Sequence, residues 1–259
     1  MNKREILEKL ISNEISIEEA EERLSGIQIE LVEDFARYDL LREARTGIPE
    51  VVYSETKTPK AVYDIAKRVL EKKPIVLLSR IRDEHVKEID KLSEHYKLEY
   101  GTNKHCCRIM HKNHQFEFGE GKVGIITAGT SDIPVAEEAK AIAEMMGCEA
   151  IIYNDVGVAG IHRLFEPLQK LREEKIDVLI VAAGMEGALP TVVAGLVDMP
   201  VIGLPISTGY GYGGKGQTAL MSMLQSCALG LAVVNIDGGV SAGAVAAKIA
   251  KKRCKETNI

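Results

Sequence analysis

The chain has 259 residues, 46% hydrophobic and 27% charged, a balance typical of a globular protein with a sizeable core. Its formal net charge of -5 argues against a general nucleic-acid binder, and no apolar run reaches the ~18 residues that a membrane helix needs. Five scattered cysteines predict reduced thiols rather than a disulfide framework. The charged start Met1–Glu5 is unlike a signal peptide, so we expect a cytoplasmic protein with no nucleic-acid or membrane partner.

Residues 1–118 are predicted to form a small mixed α/β domain that begins with helices. Apolar residues recur at helical spacing over residues 2–24, with a helix start at Ser16, and residues 33–41 continue the amphipathic pattern. Two basic residues, Arg45 and Lys57, then flank a short strand and could lie in an ordinary solvated turn. The predicted elements in this region are strand 51–53, helix 59–72, strand 75–79, helix 83–95, and extended segments near 98–100 and 106–110.

A cluster of His105, Cys106, Cys107, His111 and His114 raises the question of a zinc site. Adjacent cysteines on a strand point to opposite faces, so they do not easily share one ion. The paired ligand spacing of zinc motifs is missing as well. We therefore interpret the cluster as a strand with one buried face, followed by a polar loop.

Residues 119–259 alternate strands and helices regularly, which predicts an α/β domain with a doubly wound parallel sheet. The predicted strands are 123–128, 150–153, 178–182, 201–204 and 231–235, and the predicted helices are 132–146, 161–172, 188–196, 215–227 and 241–252.

The first of these strands ends at the turn Gly129-Thr130-Ser131-Asp132, which leads into a helix. A helix N-terminus leaves backbone N–H groups free and carries a partial positive charge. The turn is therefore suited to phosphate or carboxylate, unless it is only an ordinary capped connection.

Three more Gly-rich turns follow later strands, at residues 154–160, 183–187 and 205–214. Ligands of doubly wound sheets bind at this carboxyl edge, and glycine lets a backbone approach a ligand closely. Glu186 is the one carboxylate in a small apolar turn, where it would either transfer a proton or cap the next helix. We interpret the last turn as a mobile loop over the ligand, the alternative being a disordered connection.

Cys227 is predicted at the C-terminal end of a helix, where the dipole does not favour a thiolate. From its position alone it would be a small buried packing residue.

Five separated blocks of the chain together resemble the LarB-type carboxylase/hydrolase family. The blocks are Arg45–Tyr53, Thr127–Ala139, Asp155–Arg163, Gly184–Pro190 and Ser226–Ala228. The C-terminal half is also similar to the aminoimidazole ribonucleotide carboxylase/mutase fold.

The resemblance implies the first enzyme of nickel-pincer nucleotide synthesis. Such an enzyme converts nicotinic acid adenine dinucleotide, CO2 and water into pyridinium-3,5-biscarboxylic acid mononucleotide and AMP. It implies covalent catalysis by Cys227, a proton-removal step for Glu186 and a catalytic place for Asp132. It also implies Mg2+ as the cofactor ion, without identified ligands, no organic cofactor, and a homo-octamer.

The substrate-binding residues expected from these motifs lie in the Gly-rich turns and around the basic residues. They are Gly129, Thr130, Ser131, Gly157, Gly160, Arg163, Met185, Gly187, Ala188, Arg45, Lys57, Gly209 and Tyr210. Two alternatives stay open: a purine-pathway aminoimidazole ribonucleotide carboxylase or mutase, and a nucleotide-binding protein without turnover.

Overall fold

A computed structural model describes residues 3–25, 29–32 and 36–256 of the protein. The chain divides into two compact units, one of Met1–Tyr100 with Cys107–His114 and one of Gly101–Cys106 with Gln115–Ile259. Within the described ranges, no helix combines the length and the apolar character that a bilayer-spanning segment requires.

The N-terminal unit begins with helices and continues as a mixed α/β fold. Its elements are α1 (Lys3–Ile11), α2 (Ile17–Ser25), β1 (Ile29–Val32), β2 (Ala36–Asp39), α3 (Arg42–Thr46), β3 (Val51–Tyr53), α4 (Pro59–Leu70), β4 (Ile75–Ser79), α5 (Asp83–Asp90), β5 (Tyr96–Tyr100) and β6 (Cys107–His111). The predicted helix start at Ser16 is confirmed, because the Ser16 hydroxyl accepts the Glu19 N–H at 3.1 Å.

A four-stranded sheet in the order β3-β4-β6-β5 forms the centre of this unit. Only β3 and β4 run parallel to each other, while β6 is antiparallel to both β4 and β5. The crossover helix α4 starts with Thr58 as its cap and Pro59 in its first turn, and it buries Val62, Ile65 and Val69 against the sheet.

The segment predicted to continue the helical pattern, residues 33–41, differs in the structure. Residues 33–35 lie outside the described residues, and residues 36–39 form β2, which pairs antiparallel with β1. Tyr38 explains the difference, because its ring is buried in the core and its hydroxyl donates to the Glu50 carbonyl at 2.9 Å. This tertiary contact outweighs a weak local preference for helix.

The histidine and cysteine cluster lies on strand β6 and the residues next to it. Cys107–His111 form strand β6, as expected, and both Cys106 and Cys107 are buried. The His111 ring contacts the Leu70 carbonyl at 2.9 Å instead of a metal-ligand partner. Among the described residues, no group of three or more His, Cys, Asp or Glu side chains could hold a metal ion.

The C-terminal unit is an alternating α/β fold. Its elements are β7 (Lys122–Thr127), α6 (Ile133–Met145), β8 (Glu149–Tyr153), α7 (His162–Glu173), β9 (Val178–Ala183), α8 (Leu189–Ala194), β10 (Val201–Pro205), α9 (Gln217–Leu224), β11 (Leu231–Val233) and α10 (Gly239–Glu256).

All five strands of this unit are parallel and follow the order β11-β10-β9-β7-β8. The chain therefore builds outward from β7 to one side through β8 and to the other through β9. The order in which strands are added therefore reverses between β7 and β9. Ligands of such sheets bind at the carboxyl ends of the strands on either side of this point.

Side chains of the central strands alternate between two covered faces. Ile126, Leu179 and Val181 belong to one apolar cluster together with residues of α7, α8 and α9. Ile125 and Ile180 are equally buried but lie outside that cluster, on the face where α6 and α10 pack. The predicted doubly wound α/β sheet with a smaller mixed N-terminal domain is therefore confirmed.

Helix α9 is the element that differs most from its predicted bounds. The prediction was a helix over 215–227, whereas α9 spans Gln217–Leu224. Lys215 and Gly216 both have positive φ, of 60° and 76°, so the helix cannot extend back to Lys215. At its other end the chain leaves the helix before Cys227.

Candidate active site

A cavity of about 430 Å³ lies at the predicted carboxyl edge of the parallel sheet, near the point where the strand order reverses. Four turns build it, following β7, β8, β9 and β10. Small side chains predominate in its wall, so backbone forms much of the surface. The lining residues are Ala128, Gly129, Ser131, Asp132, Gly157, Val158, Ala159, Ala183, Gly184, Met185, Glu186, Ala188, Leu189, Thr208, Gly209 and Tyr210.

Asp132 is the buried carboxylate of this cavity, with only 3% of its surface exposed. Its Oδ2 accepts the Gly129 N–H at 2.8 Å, and its Oδ1 accepts the Thr208 hydroxyl at 3.2 Å. The Gly184 N–H also donates to this carboxyl group. Asp132 therefore joins the turns after β7, β9 and β10 into one wall.

Burial raises the pKa of Asp132 above its ordinary value, because the ionised form loses hydration. Hydrogen bonds from Gly129, Thr208 and Gly184 stabilise the ionised form and oppose the rise without cancelling it. A carboxyl group with a raised pKa is better suited to giving and taking a proton than an ordinary aspartate is.

At the turn Gly129–Asp132, where we expected an anion to bind, one backbone N–H group already donates to a side chain of the protein. The Gly129 N–H donates to Asp132 rather than outward, so it is not open to a bound anion. Thr130 and Ser131, which are exposed, continue the turn as a short 3-10 helix that leads into α6. At this turn the wall presents the carboxyl group of Asp132, one of the three expected catalytic residues, together with backbone.

Gly184 brings the turn after β9 against the loop after β10. A Cβ atom at Gly184 would lie 2.4 Å from the Thr208 carbonyl oxygen, closer than any real side chain lies. The same carbonyl accepts the Met185 N–H at 3.2 Å. Met185 itself has a φ of 51°, which is unusual for a residue with a side chain. This close approach is what holds Thr208 within reach of Asp132.

Arg163 lies beside the rim of the cavity, on the first turn of α7. Its guanidinium forms an ion pair with Asp155 at 2.7 Å and packs on Gly160, where a Cβ atom would lie 2.6 Å from the Arg163 Nε. Asp155 has a φ of 59°, and its N–H donates to the Thr127 hydroxyl at 3.1 Å. The loop after β8 is thus shaped to hold one cation next to the lining residues 157–159.

Many of the residues predicted for the site do line this cavity. They are Gly129, Ser131, Asp132, Gly157, Met185, Glu186, Ala188, Gly209 and Tyr210. Glu186 is exposed, and no hydrogen bond or ion pair from another described residue holds its carboxylate. It does not cap α8, whose first residues receive no side-chain cap.

Other predicted residues lie close to the cavity or in the other unit. Thr130, Gly160, Arg163 and Gly187 belong to the same turns but are not lining residues. Arg45 and Lys57 belong to the N-terminal unit. There Arg45 pairs with Asp39 at 2.5 Å, and the Lys57 Nζ donates to the Tyr53 carbonyl at 2.7 Å.

Cys227 does not line the cavity, and it is exposed rather than buried as its position in the sequence indicated. It follows the end of α9 and precedes β11, whose first residue pairs with the first residue of β10. It therefore lies toward the amino edge of the sheet. The length of a five-residue strand, roughly 15 Å, separates that edge from the carboxyl edge of the same chain.

Two family models match the chain one after the other. A model described as AIR carboxylase matches residues 122–258, and one described as LarB/PurE-like N-terminal domain matches residues 29–112. The chain belongs to the AIR carboxylase family. The second match confirms the LarB-type resemblance seen in the sequence.

Relatives divide into those that match the whole chain and those that match the AIR carboxylase part. An uncharacterized protein of Methanocaldococcus jannaschii is 45% identical over 257 residues, 96% of this chain and 97% of that protein. An N5-carboxyaminoimidazole ribonucleotide mutase of Thermotoga maritima is 33% identical over 133 residues, 49% of this chain and 74% of the mutase. The crystal structure of a Treponema denticola PurE2 variant covers 53% of this chain and 90% of its own, with 21% identity and a TM-score of 0.39.

Within this AIR carboxylase fold, sequence reasoning missed one functional residue in particular. Thr208 stands in the Gly-rich loop after β10 and reaches Asp132 from 76 positions away. Its position in the sequence could have identified it, because a hydroxyl residue next to Gly209 in the loop after a predicted strand is a candidate for the ligand-binding edge. The remaining missed lining residues are apolar or small: Ala128, Val158, Ala159, Ala183, Gly184 and Leu189.

Proposed function

We propose that this protein is a carboxylase with phosphoanhydride hydrolase activity. Its substrates would be nicotinic acid adenine dinucleotide, CO2 and water, and its products pyridinium-3,5-biscarboxylic acid mononucleotide and AMP. The observation that carries the proposal is the buried Asp132 carboxyl group, with its raised pKa, in a cavity walled by backbone and small side chains. Such a wall admits a flat ring and CO2 and provides one group for proton transfer.

The carboxylation needs a nucleophilic ring carbon, which a pyridinium does not have. Addition of a thiolate to the ring gives a neutral dienamine whose carbon 5 can form a bond to CO2. A base then takes the proton from carbon 5, the carbon–sulfur bond breaks, and the aromatic ring returns. The thiolate is regenerated, so the steps balance without an oxidant or reductant.

Two carboxylates of the cavity suit two different tasks. Asp132 is buried and its pKa is raised, so it is our candidate for taking the proton from carbon 5. Glu186 is exposed at the same cavity, where its carboxylate would attract the cationic ring. Arg163, beside the rim, would contact a phosphate or the ring carboxylate.

Magnesium is part of the proposed reaction because hydrolysis between two phosphates generally needs charge neutralisation. The described residues form no group of three or more acidic, histidine or cysteine side chains around a common point. A resident magnesium site therefore does not fit these residues, and none of the steps above runs through one. The ion would instead arrive on the diphosphate of the substrate.

The thiol must come from a second copy of the chain if Cys227 is the nucleophile. Cys227 lies toward the sheet edge opposite the cavity of its own chain. Large apolar side chains around it are exposed, namely Met221, Leu224 and Leu229. We therefore propose a homo-oligomer, an octamer by family resemblance, in which Cys227 of one copy serves the cavity of another.

The first test is mass spectrometry of the products formed from nicotinic acid adenine dinucleotide, bicarbonate and Mg2+. We expect AMP and a mononucleotide heavier by one carboxyl group. Unchanged dinucleotide, together with turnover of an aminoimidazole ribonucleotide, would refute the proposal and assign the purine reaction. Tight binding of the dinucleotide without turnover would make the protein a nucleotide-binding protein.

The second test concerns the shared site. Cys227→Ala and Asp132→Asn subunits should each be inactive alone and regain part of the activity when they are unfolded together and reassembled as mixed oligomers. Mixed oligomers without activity would contradict the contribution of Cys227 from a second copy.

One observation favours a purine-type carboxylase or mutase as the second candidate. Its substrate is already an enamine, so it needs no thiol, and Cys227 does not line the cavity of its own chain. A Cys227→Ala variant with full activity on the aminoimidazole substrate would decide for this candidate.

A further inference from the structure

The N-terminal unit has its own carboxyl edge, where the parallel strands β3 and β4 end side by side. Tyr53 pairs with Ser79 at the last position of the two strands. The loops that follow carry three cations, Lys57 from the first loop and Arg80 and Arg82 from the second. Loops at the carboxyl ends of neighbouring parallel strands are where α/β folds bind ligands.

His85 joins these two loops into one rigid surface. Its ring is fully buried, with 0% exposure. The Nδ1 atom accepts the Arg82 N–H at 2.9 Å, which leaves Nε2 to donate to the Lys57 carbonyl, also at 2.9 Å. His85 therefore holds the backbones of Lys57 and Arg82 at a fixed separation. The Cα atoms from which the two cationic side chains extend are fixed relative to each other.

Arg80 adopts a backbone conformation that arginine rarely adopts. Its φ is 51°, in the left-handed region, which is disfavoured for a residue with a side chain because the Cβ atom comes too close to the following carbonyl oxygen. This conformation sends the guanidinium over the Tyr53 ring, 5.4 Å from its centre, and within 3.4 Å of Glu55. Strain of this kind is concentrated at functional sites.

We propose that this carboxyl edge binds a phosphate group through Lys57, Arg80 and Arg82. The two guanidinium forks suit the several oxygens of a phosphate dianion, and the Lys57 ammonium adds a third donor group. The carboxylates nearby, Glu55 beside Arg80 and Glu84 beside Arg82, would be replaced by phosphate as the partners of those arginines. The site belongs to the N-terminal unit alone, so it stands or falls independently of the proposed carboxylation.

Acetylation of lysine residues, read by mass spectrometry on the full-length protein, tests this site directly. Inorganic phosphate should protect Lys57 from acetylation in a concentration-dependent way. Lys60 is the internal control, because it lies three residues away and its ammonium pairs with Asp64 at 2.9 Å on the outer face of α4. AMP is the second probe, and a lower half-protection concentration than that of phosphate would identify a nucleotide as the ligand.

Variants at Arg80 separate binding from folding. Asn and Gly tolerate a positive φ best, so Arg80→Asn and Arg80→Gly remove the guanidinium without added strain. We expect about a tenfold higher half-protection concentration of phosphate in either variant, the effect of one charge-assisted contact. The matched control is Arg68→Ala, which removes an exposed arginine that pairs with Glu30 and Glu71 in the same unit.

The proposal also predicts that Arg80→Gly unfolds at a temperature no lower than the wild type in phosphate-free buffer. Lys57 acetylation that phosphate does not change would overturn the proposal. The same holds if phosphate protects Lys57 equally in the wild type and in both Arg80 variants, or if Arg68→Ala loses protection to the same extent.

Discussion

Substitution of Gly184 by Ala is the sharpest test of how the cavity is built. The added Cβ would lie 2.4 Å from the Thr208 carbonyl oxygen and 2.9 Å from its hydroxyl oxygen. Ordinary contacts need about 3.4 Å or more, so Thr208 must move by roughly 1 Å. Because Thr208 is held by hydrogen bonds on both sides, it cannot move without losing them.

The size of the effect follows from those contacts. The Thr208 carbonyl accepts the Met185 N–H at 3.2 Å, and its hydroxyl donates to Asp132 at 3.2 Å. Each lost hydrogen bond costs about 1 kcal/mol, and the overpacking adds roughly 1–2 kcal/mol. We expect a loss of about 3 kcal/mol, or roughly 6–12 °C in unfolding temperature for a unit of this size. The loss of a hydrogen bond that stabilises the ionised carboxylate should also raise the pKa of Asp132 further.

Thermal unfolding at one protein concentration measures the first effect, and the pH profile of activity measures the second. Gly195→Ala is the matched control, because the nearest atom to its added Cβ would be 3.5 Å away and its φ of -78° suits alanine. We expect that control to change stability by less than about 1 kcal/mol. Equal unfolding temperatures for the two variants would refute the reasoning that Gly184 holds Thr208 against Asp132.

Three further predictions concern charges and the thiol. Burial raises the pKa of Asp132, so the contribution of this group to stability is largest below its ordinary pKa of 3.8 and is lost as the pH rises through the raised value. Relative to Asp132→Asn, this loss amounts to about 1.4 kcal/mol per pKa unit in urea titrations, and parallel stability curves would contradict it. Asp155→Asn should release Arg163 and raise KM about tenfold with little change in kcat, whereas Glu166→Gln, which breaks a 2.7 Å pair on the same helix, should change neither. Cys227→Ala should abolish carboxylation and leave the unfolding temperature unchanged, because the side chain is exposed.

Local patterns determined much of the fold. The strands β3 and β4 have their predicted bounds, because short β-branched runs between charged or Gly-containing loops leave few alternatives. The buried strands of the C-terminal unit could be predicted for the same reason, and β9 is buried at every position. Strand β2 was missed because its burial depends on Tyr38 packing into the core, which no local pattern reports.

Distant contacts decided the chemistry of the cavity. The Gly-rich turns showed which strand ends would carry it, and Asp132 was visible as a candidate. Its burial and raised pKa arise only when Thr208 and Gly184 close against it. Likewise, only the loop conformation after β4 brings Arg80 over Tyr53.

The sequence by itself determined the alternating α/β organisation, the family and the turns that form the site. Each of these depends on a pattern within a continuous stretch of residues. The tertiary structure alone decided which side chains meet. It buried Asp132, held Arg163 against Asp155, and put Cys227 toward the opposite edge from the cavity. The physical reason is that parallel strands bring turns far apart in the chain to one edge, while the direction of each helix carries the following residues to the other.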